Sequence, residues 1–211
     1  MFERKISDNP LGYDTKRYTE DTATGRRYRF IVGGFAWPLK GKPGHIVVLG
    51  EDDQEDAVLR KHPIRVLAEC PKESVIDLLQ KGLDCNKQFC VDEWVGDTEN
   101  MAMMGFMDKI SLPLSKAKMI DDLHQFEGFL NMIKECTAPG KKVLQFGQES
   151  RLPDYLHEVT ATKGESVENH PPVAALGYAL AEIYLRSDPS AVQRDNEILN
   201  KIVEARCVDG I

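Results

Sequence analysis

The stretch QFCVDEWVGDTEN, residues 88–100, carries four carboxylates within eight residues, Asp92, Glu93, Asp97 and Glu99. Carboxylate oxygens are the ligands that Mg²⁺ and Mn²⁺ prefer, so acids at the end of a strand can hold divalent ions. Alternation along a strand sends Asp92 and Glu93 to opposite faces, so only one of them can face such a site. The stretch therefore predicts either one corner of a metal site or a strand that runs out into solvent.

Signatures of other chemistries are missing from the sequence. It contains no G-x-x-x-x-G-K-[ST] loop, no G-x-S-x-G elbow and no H-E-x-x-H pair. The five cysteines form no C-x-x-C pair, which argues against a zinc knuckle or a disulfide framework. Gly33-Gly34, within an apolar run, predicts a bulge or a close backbone approach.

Composition indicates one ordinary globular domain. The chain has 211 residues, a net charge of -7 and 42% hydrophobic residues, so general binding to phosphate backbones is not expected. Two basic clusters, one of which includes Arg17 and Arg29, are interpreted as solvated surface. With no apolar leader and no run of eighteen apolar residues, we expect a reduced, cytoplasmic protein without a membrane span.

Hydrophobic patterning divides the chain into three parts. Residues 1–27 are polar and broken by Asn9-Pro10, Gly12 and Gly25, which predicts a flexible N-terminal arm. Residues 28–185 carry the apolar periodic segments and form the predicted domain. Residues 186–211 are charged and predict a C-terminal helical tail.

The predicted elements alternate in a recognisable order. Strand patterns at 28–37, 46–49 and 64–68 come first, and PKESVIDLLQKG then predicts a helix from Pro71 to Gly82. QFCVDEW is the predicted fourth strand, a helix covers 119–133, KKVLQFG is the fifth strand, and PPVAALGYALAEIYL is the last helix. This order predicts an α/β fold with a mixed five-stranded sheet flanked by helices, in which the first three strands are antiparallel.

That order is found in RNase H-like folds, and the C-terminal third resembles the nuclease domain of phage large terminase subunits. In that family a strand is followed by Leu-x-x-x-Leu, here Leu152 and Leu156, and later by a helix with Ala-Leu-x-Tyr-Ala-Leu, here residues 175–180. The resemblance covers about residues 28–185. It implies a DNA endonuclease that uses Mg²⁺ or Mn²⁺, with double-stranded DNA and phage packaging proteins as partners and the host cytoplasm as location.

The same resemblance implies acids at three places, because two ions must be held to activate water and stabilise the leaving oxygen. The first-strand position falls on Gly34 or Phe35, and the last-helix positions fall near His170, Pro171 and Ala174. The acids that precede that helix are Glu165 and Glu168. The candidate catalytic residues are Asp92, Glu93, Asp97 and Glu168, and the candidate metal ligands are Asp92, Glu93, Glu168 and His170.

Three functions remain open from the sequence. The first is a nuclease-like domain with an incomplete two-metal site that acts as a binding and assembly module in viral DNA packaging. The second is an active, divalent-metal-dependent DNA endonuclease whose acids have moved. The third is a structural or regulatory phage protein that shares the topology.

Overall fold

The structure is a computed structural model. It describes residues 1–6, 17–39, 41–58, 61–97, 143–161 and 169–187, together with positions 105, 107, 109, 110, 112, 114–117, 133 and 137. The predicted helix over 119–133 lies almost entirely outside the described residues, as do Glu99, Glu165 and Glu168 and the tail beyond 187. The division into arm, domain and tail therefore stays a prediction.

A single mixed sheet forms the centre of the fold. In the part of the chain that is described it has eight strands. The strands are β1 Phe2–Ile6, β2 Arg17–Asp21, β3 Arg26–Ala36, β4 Gly44–Asp52, β5 Ile64–Lys72, β6 Glu93–Gly96, β7 Leu114–Lys116 and β8 Leu144–Gln145.

The long strand β3 organises this sheet. β4 pairs along one edge of β3 from Tyr28 to Ala36, so β2 and β6 must share the other edge. β2 pairs antiparallel with the first residues of β3, and β6 pairs parallel with Val32 to Phe35. β3, β4 and β5 are successive antiparallel neighbours, and β6 lies parallel to β3. The predicted α/β fold with a mixed sheet flanked by helices is confirmed.

The number of strands is larger than predicted. The strand beside β6 is β7, from a segment predicted only as a connection, and it pairs in parallel with Trp94 to Gly96. The predicted fifth strand, KKVLQFG, provides β8, which instead extends the opposite edge of the sheet by pairing with β5. β1 and β2 come from the stretch predicted as an arm, where they form an antiparallel ribbon continuous with β3.

The helices are α1 Val75–Phe89, α2 Leu152–Ala161 and α3 Pro171–Ser187. α1 begins later and ends later than predicted. Ser74 caps its start by accepting a hydrogen bond from the backbone N–H of Asp77. Gly82 does not end it; this glycine is buried within the helix, and a Cβ there would lie 2.9 Å from the Leu112 side chain. The helix stops at Cys90, which adopts a left-handed φ of 53°.

The end of α1 changes the interpretation of QFCVDEW. Gln88 and Phe89 belong to the helix, and the fourth strand of the predicted order, β6, starts only at Glu93. Asp92 therefore precedes the strand, and Glu93 is its first residue.

Apolar side chains on both faces of the sheet make two cores. Alternation in β4 sends Ile46 and Val48 towards α1, and Val47 and Leu49 towards α2 and α3. Both faces are covered, which explains why the central strands read as continuous apolar runs. None of the helices in the described part of the chain has the length and apolar character that crossing a bilayer requires.

Candidate functional site

The first-strand position offers no room for a metal ligand. A Cβ placed on Gly34 would lie 1.8 Å from the carbonyl oxygen of Ala175 in α3 and 2.7 Å from the carbonyl carbon. The neighbouring candidate position, Phe35, is fully buried and packs edge-on against Trp37 and Trp94. Helix α3 therefore lies directly on the strand where the family resemblance implies an acid.

The direction of α3 decides which site residues can meet. Ala175, near its start, covers Gly34 of β3, whereas Arg186, near its end, contacts Glu93 at the start of β6 and lies over the Phe30 ring. α3 is thus antiparallel to β3 and β6. Its first residues lie near the carboxyl ends of these strands, and Arg186 lies near their amino ends.

Asp92 links strands β1 and β3 to the segment that precedes β6. Its Oδ2 accepts a hydrogen bond from the backbone N–H of Ile31 at 2.8 Å, and its own N–H donates to the Ile31 carbonyl at 2.8 Å. Its Oδ1 lies 3.2 Å from Arg4 of β1. The Arg4 guanidinium also donates to the carbonyls of Cys90 and Val91. These contacts join β1, β3 and the segment that leads into β6.

Glu93 belongs to an ion-pair network with α3. Its carboxylate pairs with Arg186, and the Arg186 Nε lies 3.0 Å from Oε1 of Glu182 one helical turn earlier. Glu182 is largely buried, with 7% of its surface exposed. A charge so placed needs a compensating partner, and Arg186 compensates two carboxylates at once.

Asp97 and His170 occur at the opposite end of β6 from this network. Asp97 follows the last residue of β6, and its carbonyl accepts a hydrogen bond from Trp37 Nε1 at 2.9 Å. His170 precedes α3, and its carbonyl accepts from the N–H groups of Val173 and Ala174. Of the predicted site residues, these two lie at the carboxyl ends of β3 and β6, whereas Asp92 and Glu93 lie at the start of β6.

The described residues do not fit a two-ion centre. Among them, no group of three or more His, Cys, Asp or Glu side chains is arranged to hold a metal ion. Asp92 and Glu93 contact different elements and each has an arginine partner. Glu168, the remaining candidate ligand, lies outside the described residues.

Sequence reasoning missed the arginines that compensate these acids. Glu182 lies in the predicted last helix and Arg186 begins the predicted helical tail, and their four-residue spacing is a known signal for an ion pair where a helix continues through both. Nothing local indicates Arg4 as a partner of Asp92, because the two residues are far apart along the chain. Long-range pairs of this kind emerge only from the topology of the sheet.

Three solved structures are similar to this chain. One is the crystal structure of the g2p (large terminase) nuclease domain from the bacteriophage SPP1 with bound Mn, with 16% identity over 72% of this chain and 86% of that chain and a TM-score of 0.49. A second is large terminase from a thermophilic bacteriophage, with 11% identity, 72% and 40% coverage and a TM-score of 0.44. A third is Thermus thermophilus RuvC, with 11% identity, 74% and 95% coverage and a TM-score of 0.39.

Two of these structures belong to the class that the C-terminal third resembles in sequence. No protein-family model matches the chain, and no curated protein matches it.

Proposed function

We propose that this protein is a nuclease-like module that binds double-stranded DNA and packaging proteins during viral DNA packaging, and that its two-metal site is incomplete. The packing of Gly34 against the Ala175 carbonyl carries this proposal. Two-metal hydrolysis requires carboxylates from separate elements around both ions. A strand that approaches a helix backbone this closely has no space for the first of them.

The charge arrangement at the start of β6 supports the same conclusion. Arg186 already compensates Glu93, so a divalent ion at Glu93 would have to displace a guanidinium that also serves the buried Glu182. Removing one partner from such a network leaves an uncompensated charge, which is costly. The network is therefore better suited to holding α3 on the sheet than to exchanging ions.

Nicking of supercoiled plasmid in Mn²⁺ or Mg²⁺, measured beside duplex binding by fluorescence anisotropy, tests the proposal. We expect salt-dependent binding without nicking. Metal-dependent nicking that disappears in Asp92→Asn/Glu93→Gln or in Asp97→Asn/His170→Ala would instead establish an active endonuclease. A protein that neither binds nor nicks DNA would favour a structural or regulatory role.

An active endonuclease is the second candidate, and one observation favours it. Asp97 and His170 both occur where the carboxyl ends of β3 and β6 meet the start of α3. A carboxylate and an imidazole from separate elements are a suitable start for a metal site. Asp97→Asn/His170→Ala removes the candidate ligands at this end of β6, whereas Asp92→Asn/Glu93→Gln removes those at its start. The double variant that abolishes nicking therefore shows which of the two sites is active.

A further inference from the structure

A cavity of about 290 Å³ lies between the β1–β2 ribbon and the start of β6. Four cationic residues line it, and Asp92 is the one acidic residue among its described lining residues. The cations come from three strands: Arg4 and Lys5 from β1, Arg17 from β2 and Arg29 from β3. In a chain whose net charge is -7, such a concentration of positive charge is a local feature that sequence-wide charge does not reveal.

The four cations differ in how far they are compensated. Arg4 is held by Asp92 and by two backbone carbonyls, and Lys5 pairs with Glu20 at 2.8 Å. Arg29 has a longer contact, 3.7 Å, to Glu51. Arg17 is exposed and forms no ion pair with any residue that the structure describes. Arg17 and Arg29 are therefore the groups with charge to offer a ligand.

The shape and charge of the cavity suit a phosphate group. Guanidinium groups bind phosphate oxygens through two parallel hydrogen bonds, and arginine is the preferred residue for this recognition. Tyr18 also lines the cavity, and the Arg27 guanidinium lies 4.8 Å from the centroid of its ring. We therefore expect an anionic ligand that is long enough to reach from the cavity to Tyr18 and Arg27. A polynucleotide backbone has this charge and this length.

We propose that this cavity binds a backbone phosphate of DNA through Arg17 and Arg29, with Arg4 as the positioning residue that fixes the wall next to Asp92. The proposal rests on the proposed function, since it names the surface by which the module contacts DNA. It places that contact at the start of β6, away from Asp97 and His170. DNA binding and any chemistry at the other end of the strand are then separable by mutation.

Binding of a short labelled duplex tests the proposal, with Arg17→Ala/Arg29→Ala compared with wild type. Arg151→Ala is the matched control, because Arg151 is an exposed arginine next to α2, on the other side of the sheet from α1. We expect Kd to rise about tenfold or more in the double variant, since a lost charged hydrogen bond is worth about 1.5–3 kcal/mol. The plot of the logarithm of the association constant against the logarithm of the salt concentration has a negative slope, and the magnitude of this slope should decrease by about 1 to 2 in the double variant.

The outcomes separate this inference from the function on which it rests. If wild type and Arg17→Ala/Arg29→Ala bind the duplex equally, the cavity proposal is wrong and DNA binding stands. If wild type binds no duplex even at low salt, both are wrong. If inorganic phosphate competes with the duplex while chloride at equal ionic strength does not, and the double variant loses this competition, a phosphate site is supported. If phosphate binds but the duplex does not, the cavity takes a free phosphate and the DNA assignment is overturned.

Protein stability is the remaining control. Arg17→Ala alone should unfold at the wild-type temperature, because Arg17 is exposed and forms no ion pair with a described residue. Adding Arg29→Ala should lower the unfolding temperature, because Arg29 contacts the largely buried Glu51 and lies over the Phe30 ring. If the double variant is unstable, the milder Arg17→Gln replaces it. Arg17→Gln must still weaken duplex binding and reduce the salt slope, or the proposal is wrong.

Discussion

Gly34 of β3 and Ala175 of α3 meet backbone to backbone. A Cβ on Gly34 would lie 1.8 Å from the Ala175 carbonyl oxygen, far inside the distance at which real atoms make contact. The resemblance to terminase nucleases implies an acid at Gly34 or its neighbour Phe35. Because Gly34 has no side chain, this position carries no acid, and for the same reason the last helix can pack directly on the central strand.

Restoring the implied acid should destabilise the protein without restoring a metal site. Gly34→Asp would force α3 away from β3 and bury a carboxylate, so we expect the free energy of unfolding to fall by about 3 kcal/mol or more. Urea denaturation measures this. Gly147→Ala is the control, because a Cβ there meets nothing within 4 Å, and its effect should stay within about 0.5 kcal/mol. A Gly34→Asp protein of wild-type stability that binds Mn²⁺ would contradict the packing.

The network of Glu93, Arg186 and Glu182 should behave as a structural unit. Arg186→Met leaves two carboxylates without their guanidinium, and we expect a loss of about 1–3 kcal/mol in stability. Glu93→Gln should cost less, and the double variant should show a coupling energy of about 0.5 kcal/mol or more. Glu73→Gln, at an exposed glutamate, is the neutral control. Additive losses would mean that Glu93 and Arg186 are energetically independent.

Patterns in the sequence that depend on neighbouring residues were predictive. The apolar runs of β3, β4 and β5 and the long helix α3 were found because burial on one or two faces leaves a periodic signal. The pair Gly33-Gly34 was also informative, since it predicted a bulge or a close backbone approach, and Gly34 does lie against the Ala175 backbone while Gly33 lies against the Trp94 side chain.

Features that depend on distant residues were not predictable. Gly82 looked like a helix end, but it lies buried within the helix with Leu112 beside it, and Cys90 ends the helix in a conformation more typical of glycine. β7 has only three residues, too few for a periodic signal. Asp92 and Glu93 were both candidate ligands, of which only one was expected to face the site, and only the three-dimensional positions of Arg4 and Arg186 show the partner of each.

Glu69 should make stability depend on acid pH. Its Oε1 lies 3.4 Å from Nε2 of the fully buried His45, and its Oε2 accepts hydrogen bonds from Ser150 Oγ and Arg151 N–H. Burial alone would raise the pKa of Glu69, but the close contact with His45 and the hydrogen bond from Ser150 outweigh it and lower the pKa below 4.5. The charged form is thus favoured in the folded state. The stability that Glu69 contributes is fully present above its pKa in the unfolded chain and is lost as the pH falls through its lower pKa in the folded protein.

Glu69→Gln tests this linkage. The variant should lose about 1–2 kcal/mol of stability at neutral pH, and its stability should fall less than that of wild type as the pH drops below 4.5. Glu149→Gln removes an exposed glutamate nearby in the chain and should keep the wild-type pH dependence. Parallel curves for wild type and Glu69→Gln in denaturation at several pH values would show that Glu69 has no perturbed pKa.

Cys70 of β5 should react as a thiolate near neutral pH. The interaction with the Cys85 thiol in α1 outweighs partial burial and, with the charges of Lys81 and Lys72, lowers the pKa of Cys70 to about 7. The same contact raises the pKa of Cys85.

Alkylation by iodoacetamide, followed by peptide mass spectrometry, should therefore give a half-maximal rate for Cys70 at about pH 7. In Cys85→Ala the midpoint should move upward, because the interaction that lowers the pKa is gone while burial remains. Cys90→Ser removes a thiol outside this pair and should leave the Cys70 profile unchanged, whereas an unshifted midpoint in Cys85→Ala would show that the two thiols do not interact.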